Sequence, residues 1–124
     1  MIYVIGIGPG SKELMTMQCI DAIKDAEVIV GYKTYINLIT DFIEGKEVVQ
    51  NGMRQEIDRC REAVEIAKTG KKVAVISSGD AGIYGMAGLI LELTAKEEQN
   101  IDVKVVPGVT ASIGAAAILG APIM

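Results

Sequence analysis

Histidine is absent from the 124 residues, and with it the side chain that most readily moves protons near neutral pH. Acid–base work would fall to a shifted carboxylate, a lysine or a tyrosine, or catalysis would rest on positioning. Aromatic residues make up only 4% of the chain. Alanine, isoleucine, valine and glycine take the apolar share instead, as expected of a parallel sheet covered by helices. Positive charge is in deficit: the formal net charge is −4, which speaks against a nucleic-acid partner, since that needs a basic face. Cysteine occurs twice. Cys19 and Cys60 both fall on apolar positions of predicted helices and neither belongs to a C-x-x-C pair, so they read as small core residues in a reduced cytosol. Without histidine or clustered cysteines, metal ligation by those residues is excluded. No apolar run approaches the roughly 20 residues that span a bilayer. The start, Ile2-Tyr3-Val4-Ile5, runs into a strand without a basic leader, so no signal peptide is expected. The expectation is a cytoplasmic protein with no membrane contact.

What is present is a strict alternation of strand and helix patterns. Strands are predicted near Ile2–Ile7, Glu27–Val30, Glu47–Gln50, Lys72–Ser77 and Asp102–Val106. The first helix gathers Met15, Cys19, Ala22, Ile23 and Ala26 on one face, with Thr16 to cap its start. The second takes Thr34 as cap and Tyr35, Leu38, Ile39 and Phe42 as its apolar stripe. The third, about Arg54–Lys68, buries Ile57, Cys60, Val64 and Ala67 and turns Glu56, Asp58, Arg61, Glu62 and Glu65 to water. The fourth runs from about Tyr84 to Glu97, and a fifth from Pro107-Gly108-Val109-Thr110 to about Gly120. Five βα units in succession mean an α/β fold, a three-layer sandwich on a five-stranded, mainly parallel sheet. Ala111 to Met124 contains no charged residue, so a helix there is apolar on every side and needs covering by a second domain or another subunit.

Glycine punctuates the strand ends. Gly6-Ile7-Gly8-Pro9-Gly10 closes the first strand, but as a dinucleotide fingerprint it lacks the third glycine, Ser11 standing there. The second strand ends in Val30-Gly31-Tyr32-Lys33, without the acid that would hold a ribose. No G-K-[ST] follows either, so the turn is not a Walker loop. The central run is Ser77-Ser78-Gly79-Asp80-Ala81-Gly82-Ile83-Tyr84-Gly85, after the buried run Val73-Ala74-Val75-Ile76. Glycines at a strand end leave backbone N–H groups bare and let a ligand come close, and in open α/β sheets ligands bind at the carboxyl ends of the strands. Asp80 is a helix N-cap or a ligand contact, and the two are not exclusive. Thr110 has the same two readings. Arg54, in Gly52-Met53-Arg54-Gln55-Glu56, is a solvated first-turn residue or a guanidinium held out for a carboxylate-rich substrate. Tyr32 and Lys33 end the second strand at the same edge.

Taken together, Gly6–Gly10, Ser78–Gly85 and Val106-Pro107-Gly108-Val109-Thr110-Ala111 resemble, in that order, the tetrapyrrole methylases. These are S-adenosylmethionine methyltransferases that modify uroporphyrinogen and corrin precursors. Gly52–Cys60 and Ser77–Gly88 resemble the branch of precorrin-3B C17-methyltransferase and its cobalt-dependent anaerobic counterpart. The resemblance spans the whole chain. It implies a sheet order of 3-2-4-1-5, and two domains with the cofactor in the cleft between them, this chain being the N-terminal domain of a class III methyltransferase. By position it implies cofactor contacts at Pro9, Ser78, Gly79, Asp80, Ile83, Thr110 and Ala111. The tetrapyrrole would lie along the trough, its acid side chains near Arg54 and Lys33, with Tyr32 a further contact. Asp80 and Tyr84 stand nearest the chemistry, and no residue marks itself as an obligatory base. Members of the family are about twice this length, as two domains of ordinary size. Leu119–Met124 resembles the crossing between them, so the missing cover over Ala111–Met124 would be a C-terminal half or a second copy of the chain. Two other readings stay open: a module binding NAD through Gly6–Gly10, and a non-catalytic fragment that associates through Ala111–Met124.

Overall fold

Strands form where the apolar runs are continuous. In the computed structural model the described residues are 1–8, 15–52, 56–77, 83–98 and 100–108. They build β1 (Ile2–Gly6), α1 (Met17–Asp25), β2 (Val28–Tyr32), α2 (Lys33–Leu38), a 3-10 turn (Thr40–Phe42), β3 (Glu47–Asn51), α3 (Glu56–Ala67), β4 (Val73–Ser77), α4 (Ile83–Ala95) and β5 (Val103–Val106). The strand order is β3-β2-β4-β1-β5, and all four pairings are parallel. The sheet is thus wholly parallel where "mainly parallel" is the reading from sequence, and its order is the one the family resemblance implies. The predicted fifth helix, and Ala111–Met124 with it, lies outside the described residues.

Side chains alternate across the sheet with period two. Ile2, Val4, Val28, Val30, Val73 and Val75 face α3 and α4 through Cys60, Ala63, Val64, Met86, Ala87 and Ile90. Ile5, Ile29, Ala74, Ile76 and Val106 face the other way, onto Cys19, Ala22 and Ile23 of α1, Ile36 of α2, and Ile39 and Ile43 beyond it. Helices on both faces make the three-layer sandwich, and the central strands β1 and β4 are buried on both sides, which is why they read as unbroken apolar runs. The edge strands β3 and β5 carry Glu47 and Lys104, charges that blunt a free sheet edge.

The helices depart from the sequence reading in instructive places. Thr16 does cap α1, its hydroxyl accepting from the Cys19 N–H at 3.0 Å. Thr34 does not cap α2: the helix begins at Lys33 with Tyr32 in the cap position and no side-chain cap bond. The second helical pattern also breaks at Ile39 (φ −118°, ψ 17°), and the chain tightens into the 3-10 turn. Within the six residues of α2, Ile36 is buried while Leu38 is 37% exposed. On α3 the exposed acids and Arg61 are where expected, but Ile57 is 54% exposed and Arg59 is buried in its stead. Ile57 and Arg59 flank the stripe of Cys60, Ala63, Val64 and Ala67 on opposite sides, and the Arg59 flank is the one turned to the core.

Candidate functional site

Because every described pairing is parallel, all five carboxyl ends lie along one edge. The connections there alternate between faces. α1 and α2, following β1 and β2, pack on one side of the sheet, and α3 and α4, following β3 and β4, pack on the other. Neighbouring strands whose chains leave to opposite faces open a crevice between them. The register puts Gly6 of β1 beside Ser77 of β4 and Ile5 beside Val106 of β5, so the carboxyl ends of β4, β1 and β5 stand next to one another.

Two glycines shape that crevice. Gly8 turns with φ +82°, a conformation that costs any side chain with a Cβ roughly 1–2 kcal/mol. Gly108, just after β5, lies so close to the β1 turn that a Cβ there would sit 2.5 Å from the Gly6 carbonyl oxygen and 2.9 Å from the Gly8 nitrogen. Backbone meets backbone without an intervening side chain. The β1 turn is held from the other side as well, the Ile7 N–H donating to the Ser77 carbonyl at 3.0 Å. Beneath it, Ile5, Ile7, Ile76 and Val106 belong to one buried cluster.

Further along the edge, Tyr32 ends β2 opposite Asn51 of β3. Its ring meets Tyr35 edge-on, centroids 5.4 Å apart, and Lys33 opens α2 with an exposed side chain. Tyr32 and Lys33 therefore do share the carboxyl edge with the glycine turns. Ile83 and Tyr84 begin α4, the helix that follows the β4 turn. Pro9, Arg54, Ser78, Gly79, Asp80, Thr110 and Ala111 lie outside the described residues.

The opposite edge has another character. Asp25 accepts the Tyr3 hydroxyl and pairs with Lys72 at 3.1 Å; those two contacts, the hydroxyl first, hold its carboxyl below the ordinary value. Lys71 pairs with Glu47 at 3.4 Å, and Lys68 with Glu97 at 3.0 Å and Glu65 at 3.2 Å. Lys46 closes the end of α1, donating to the carbonyls of Lys24 and Ala26. Paired charges tie down the amino edge, while at the carboxyl edge the described β1 and β5 turns meet through backbone alone. The thiols add no chemistry: burial pushes Cys19 and Cys60 up to about 11, far from a reactive thiolate.

Sequence reasoning missed two features. Arg59 is 5% exposed with Nη1 donating to the Gly52 carbonyl at 3.0 Å; a charged residue on the flank of an apolar stripe gave no signal of burial. The tight approach of Gly108 to Gly6 had no signal beyond a glycine after a strand.

A wholly parallel α/β sheet with its strand ends along one edge is the class of fold whose ligand crevice lies at that edge. Comparison with known proteins narrows this class: the chain belongs to the Tetrapyrrole (Corrin/Porphyrin) Methylases, the family profile matching residues 1–124. Among curated relatives it is 56% identical over 124 residues to the Salmonella typhimurium protein named "Probable cobalt-factor III C(17)-methyltransferase", covering 100% of this chain and 52% of that one. It is 37% identical to a "Precorrin-3B C(17)-methyltransferase" of Sinorhizobium sp, covering 98% of this chain and 49% of the relative. The chain thus spans about half the length of these two relatives. Among solved structures, that of the methyltransferase CobJ superposes with a TM-score of 0.84 at 39% identity, covering 98% of this chain and 51% of CobJ. The fold is that of these class III methyltransferases.

Proposed function

We propose that the protein is an S-adenosylmethionine-dependent C-methyltransferase of cobalamin biosynthesis, acting at C17 of a corrin precursor with ring contraction, and that this chain is its N-terminal half. The observation that carries the reading is the unbroken match, at 56% identity, to the Salmonella cobalt-factor III C(17)-methyltransferase. The curated relatives' names include both cobalt-factor III and precorrin-3B enzymes, and the higher identity favours the cobalt-containing substrate.

The chain's residues fit the cofactor. The β1 turn, with Gly8 at φ +82° and the Gly108 backbone packed against it, offers main-chain groups rather than side chains to a ligand with a polar amino-acid and ribose part, and buried Ile5, Ile76 and Val106 back it. Pro9, Ser78, Gly79, Asp80, Ile83, Thr110 and Ala111 would hold it. When bound, S-adenosylmethionine supplies the electrophilic sulfonium methyl. The protein's part is to align a nucleophilic ring carbon with that methyl and to exclude water. Tyr32, Lys33 and Arg54 would receive the substrate along the same edge, the two cations facing its carboxylates. Asp80 and Tyr84 would stand nearest the reacting atoms. Ala111–Met124 would meet a C-terminal half that closes the cleft, or a second copy in a homodimer. The free, buried Cys19 and Cys60 support a cytoplasmic placement, and the net charge of −4 supports the lack of a nucleic-acid partner; among the described residues no helix is long and apolar enough to cross a membrane.

The test is methyl transfer. The chain, joined to the C-terminal half of the Salmonella relative, is incubated with methyl-labelled S-adenosylmethionine and cobalt-factor III. Label should appear in the corrinoid and be lost in Asp80→Ala. Label on a different tetrapyrrole, with none on cobalt-factor III, would refute the C17 assignment.

A further inference from the structure

We infer that Tyr35 is a positioning residue: it holds the ring of Tyr32 over the carboxyl end of β2, where that ring takes the flat face of the tetrapyrrole and Lys33 beside it takes a carboxylate arm. The inference rests on the tetrapyrrole reading above and extends it to a tyrosine that the family resemblance does not single out.

Side chains alternate along β2, so Tyr32 follows Val28 and Val30, which face α3 and α4. Tyr35 lies in α2, on the opposite side of the sheet, packed against the layer that holds Ile36 and Ile39. Yet the two rings meet edge to face, their centroids 5.4 Å apart and their planes at 86°, within the range of a favourable aromatic pair. β2 is paired with a strand on each side, so no ring passes through the sheet. The rings therefore meet beyond the end of β2, over the carboxyl edge. Among the described residues Tyr32 packs in neither buried cluster, so Tyr35 is the anchored member of the pair.

The surroundings fix where the pair stands. A Cβ at Gly31 would lie 3.1 Å from Cδ1 of Ile36 and 3.2 Å from Cβ of Ile76. Glycine there lets Ile36 seat against β2 and β4 and brings the first turn of α2 onto the strand end. That helix has six residues and no side-chain cap bond, so packing rather than its own hydrogen bonds places it. Gly31 pairs with Ile76 and Gly6 with Ser77. Tyr32 is thus level with Ser77 and Gly6, two strands or about 10 Å from the β1 turn. An aromatic ring with an exposed lysine next to it in the chain suits a ligand that is flat and edged with carboxylates.

The experiment follows the four tyrosines by fluorine NMR of protein made with 3-fluorotyrosine, titrated with uroporphyrin, a porphyrin with carboxylate side arms. Wild type is compared with Tyr35→Leu, Tyr35→Phe, Tyr32→Leu and the double variant Tyr32→Leu/Tyr35→Leu. Without ligand, Tyr35→Leu should shift the Tyr32 signal and leave in place that of Tyr3, at the amino edge, as the sign of an intact fold. Tyr35→Met, which fills the space without a ring, stands in for it if the Tyr3 signal moves. On titration the macrocycle should shift the Tyr32 signal of the wild type. Uroporphyrin should bind Tyr32→Leu and Tyr35→Leu each about tenfold more weakly. Tyr35→Phe keeps the ring and should bind as wild type does. The double variant should bind no more weakly than Tyr32→Leu alone, because Tyr35 acts through Tyr32. A Tyr32 signal unmoved in Tyr35→Leu, equal losses in Tyr35→Phe and Tyr35→Leu, or a further loss in the double variant would overturn the inference. If another tyrosine responds to uroporphyrin and Tyr32 does not, the inference fails while the tetrapyrrole reading stands. If uroporphyrin does not bind at all, that reading fails and takes the inference with it.

Discussion

Tyr3 and Asp25 show how a pair at the amino edge ties sheet to helix. The Tyr3 hydroxyl donates to Asp25, which also receives Lys72, so β1, α1 and the start of β4 meet at one carboxylate. The bond raises Tyr3 above its ordinary 10.0 and lowers Asp25 below its ordinary 3.8. A lowered carboxyl adds stability above its unfolded value and loses it as the pH falls through the folded one; a raised phenol adds stability below its unfolded value and loses it as the pH rises through the folded one. Both contributions are present at neutral pH. Asp25→Asn should therefore lower the melting temperature relative to wild type at pH 7, and the gap should close in acid below about pH 4. A gap of the same size at both pH values, followed by circular dichroism, would show that the charge is not involved. At this scale the sequence was partly legible. Cys19 and Cys60 announced their burial by helical spacing, and Thr16 its cap. Arg59 did not, because a charged residue flanking an apolar stripe is read as solvated unless the carbonyl that receives it is seen.

At the level of elements, the strands were legible and the short helices less so. β1 and β4 are buried on both faces, and such strands leave continuous apolar runs that need no tertiary information. The second helix was read as one stripe from Tyr35 to Phe42, yet six helical residues and a 3-10 turn stand there. Propensity does not set such a phase break; packing of Ile36 and Ile39 against the sheet does. The carboxyl-edge turns carry a sharper prediction. The Gly108 backbone fills the space beside Gly6 and Gly8, and a methyl group at 2.5 Å from a carbonyl oxygen cannot be absorbed by a side-chain rotation. Gly108→Ala should cost roughly 1–3 kcal/mol in urea unfolding, the range for overpacking a tight site. It should also weaken cofactor binding by moving the β1 turn. Unaltered stability and binding would mean that the two turns are free to part.

For the whole molecule, alternation of strand and helix gave the class of fold, but not the strand order. Period and propensity are blind to which strand lies beside which; β3-β2-β4-β1-β5 was expected only because the three glycine-rich runs resembled a known family. That order is also what gives the site its logic. It brings together the carboxyl ends of β4, β1 and β5 and sends the helices of neighbouring strands to alternate faces, so that a crevice opens at that edge. Of the contacts implied by the resemblance, Ile83 opens α4, while Pro9, Ser78, Gly79, Asp80, Thr110 and Ala111 lie outside the described residues. The chain's reach of about half its relatives' length makes the second wall of the cleft the central matter. The most direct measurement is calorimetric titration of S-adenosylhomocysteine into the chain alone and into the chain joined to the C-terminal half of the Salmonella relative. Weak or absent binding by the chain alone, with binding at least tenfold tighter in the joined protein, is the predicted result. Binding of NAD in place of S-adenosylhomocysteine, by either form, would contradict it.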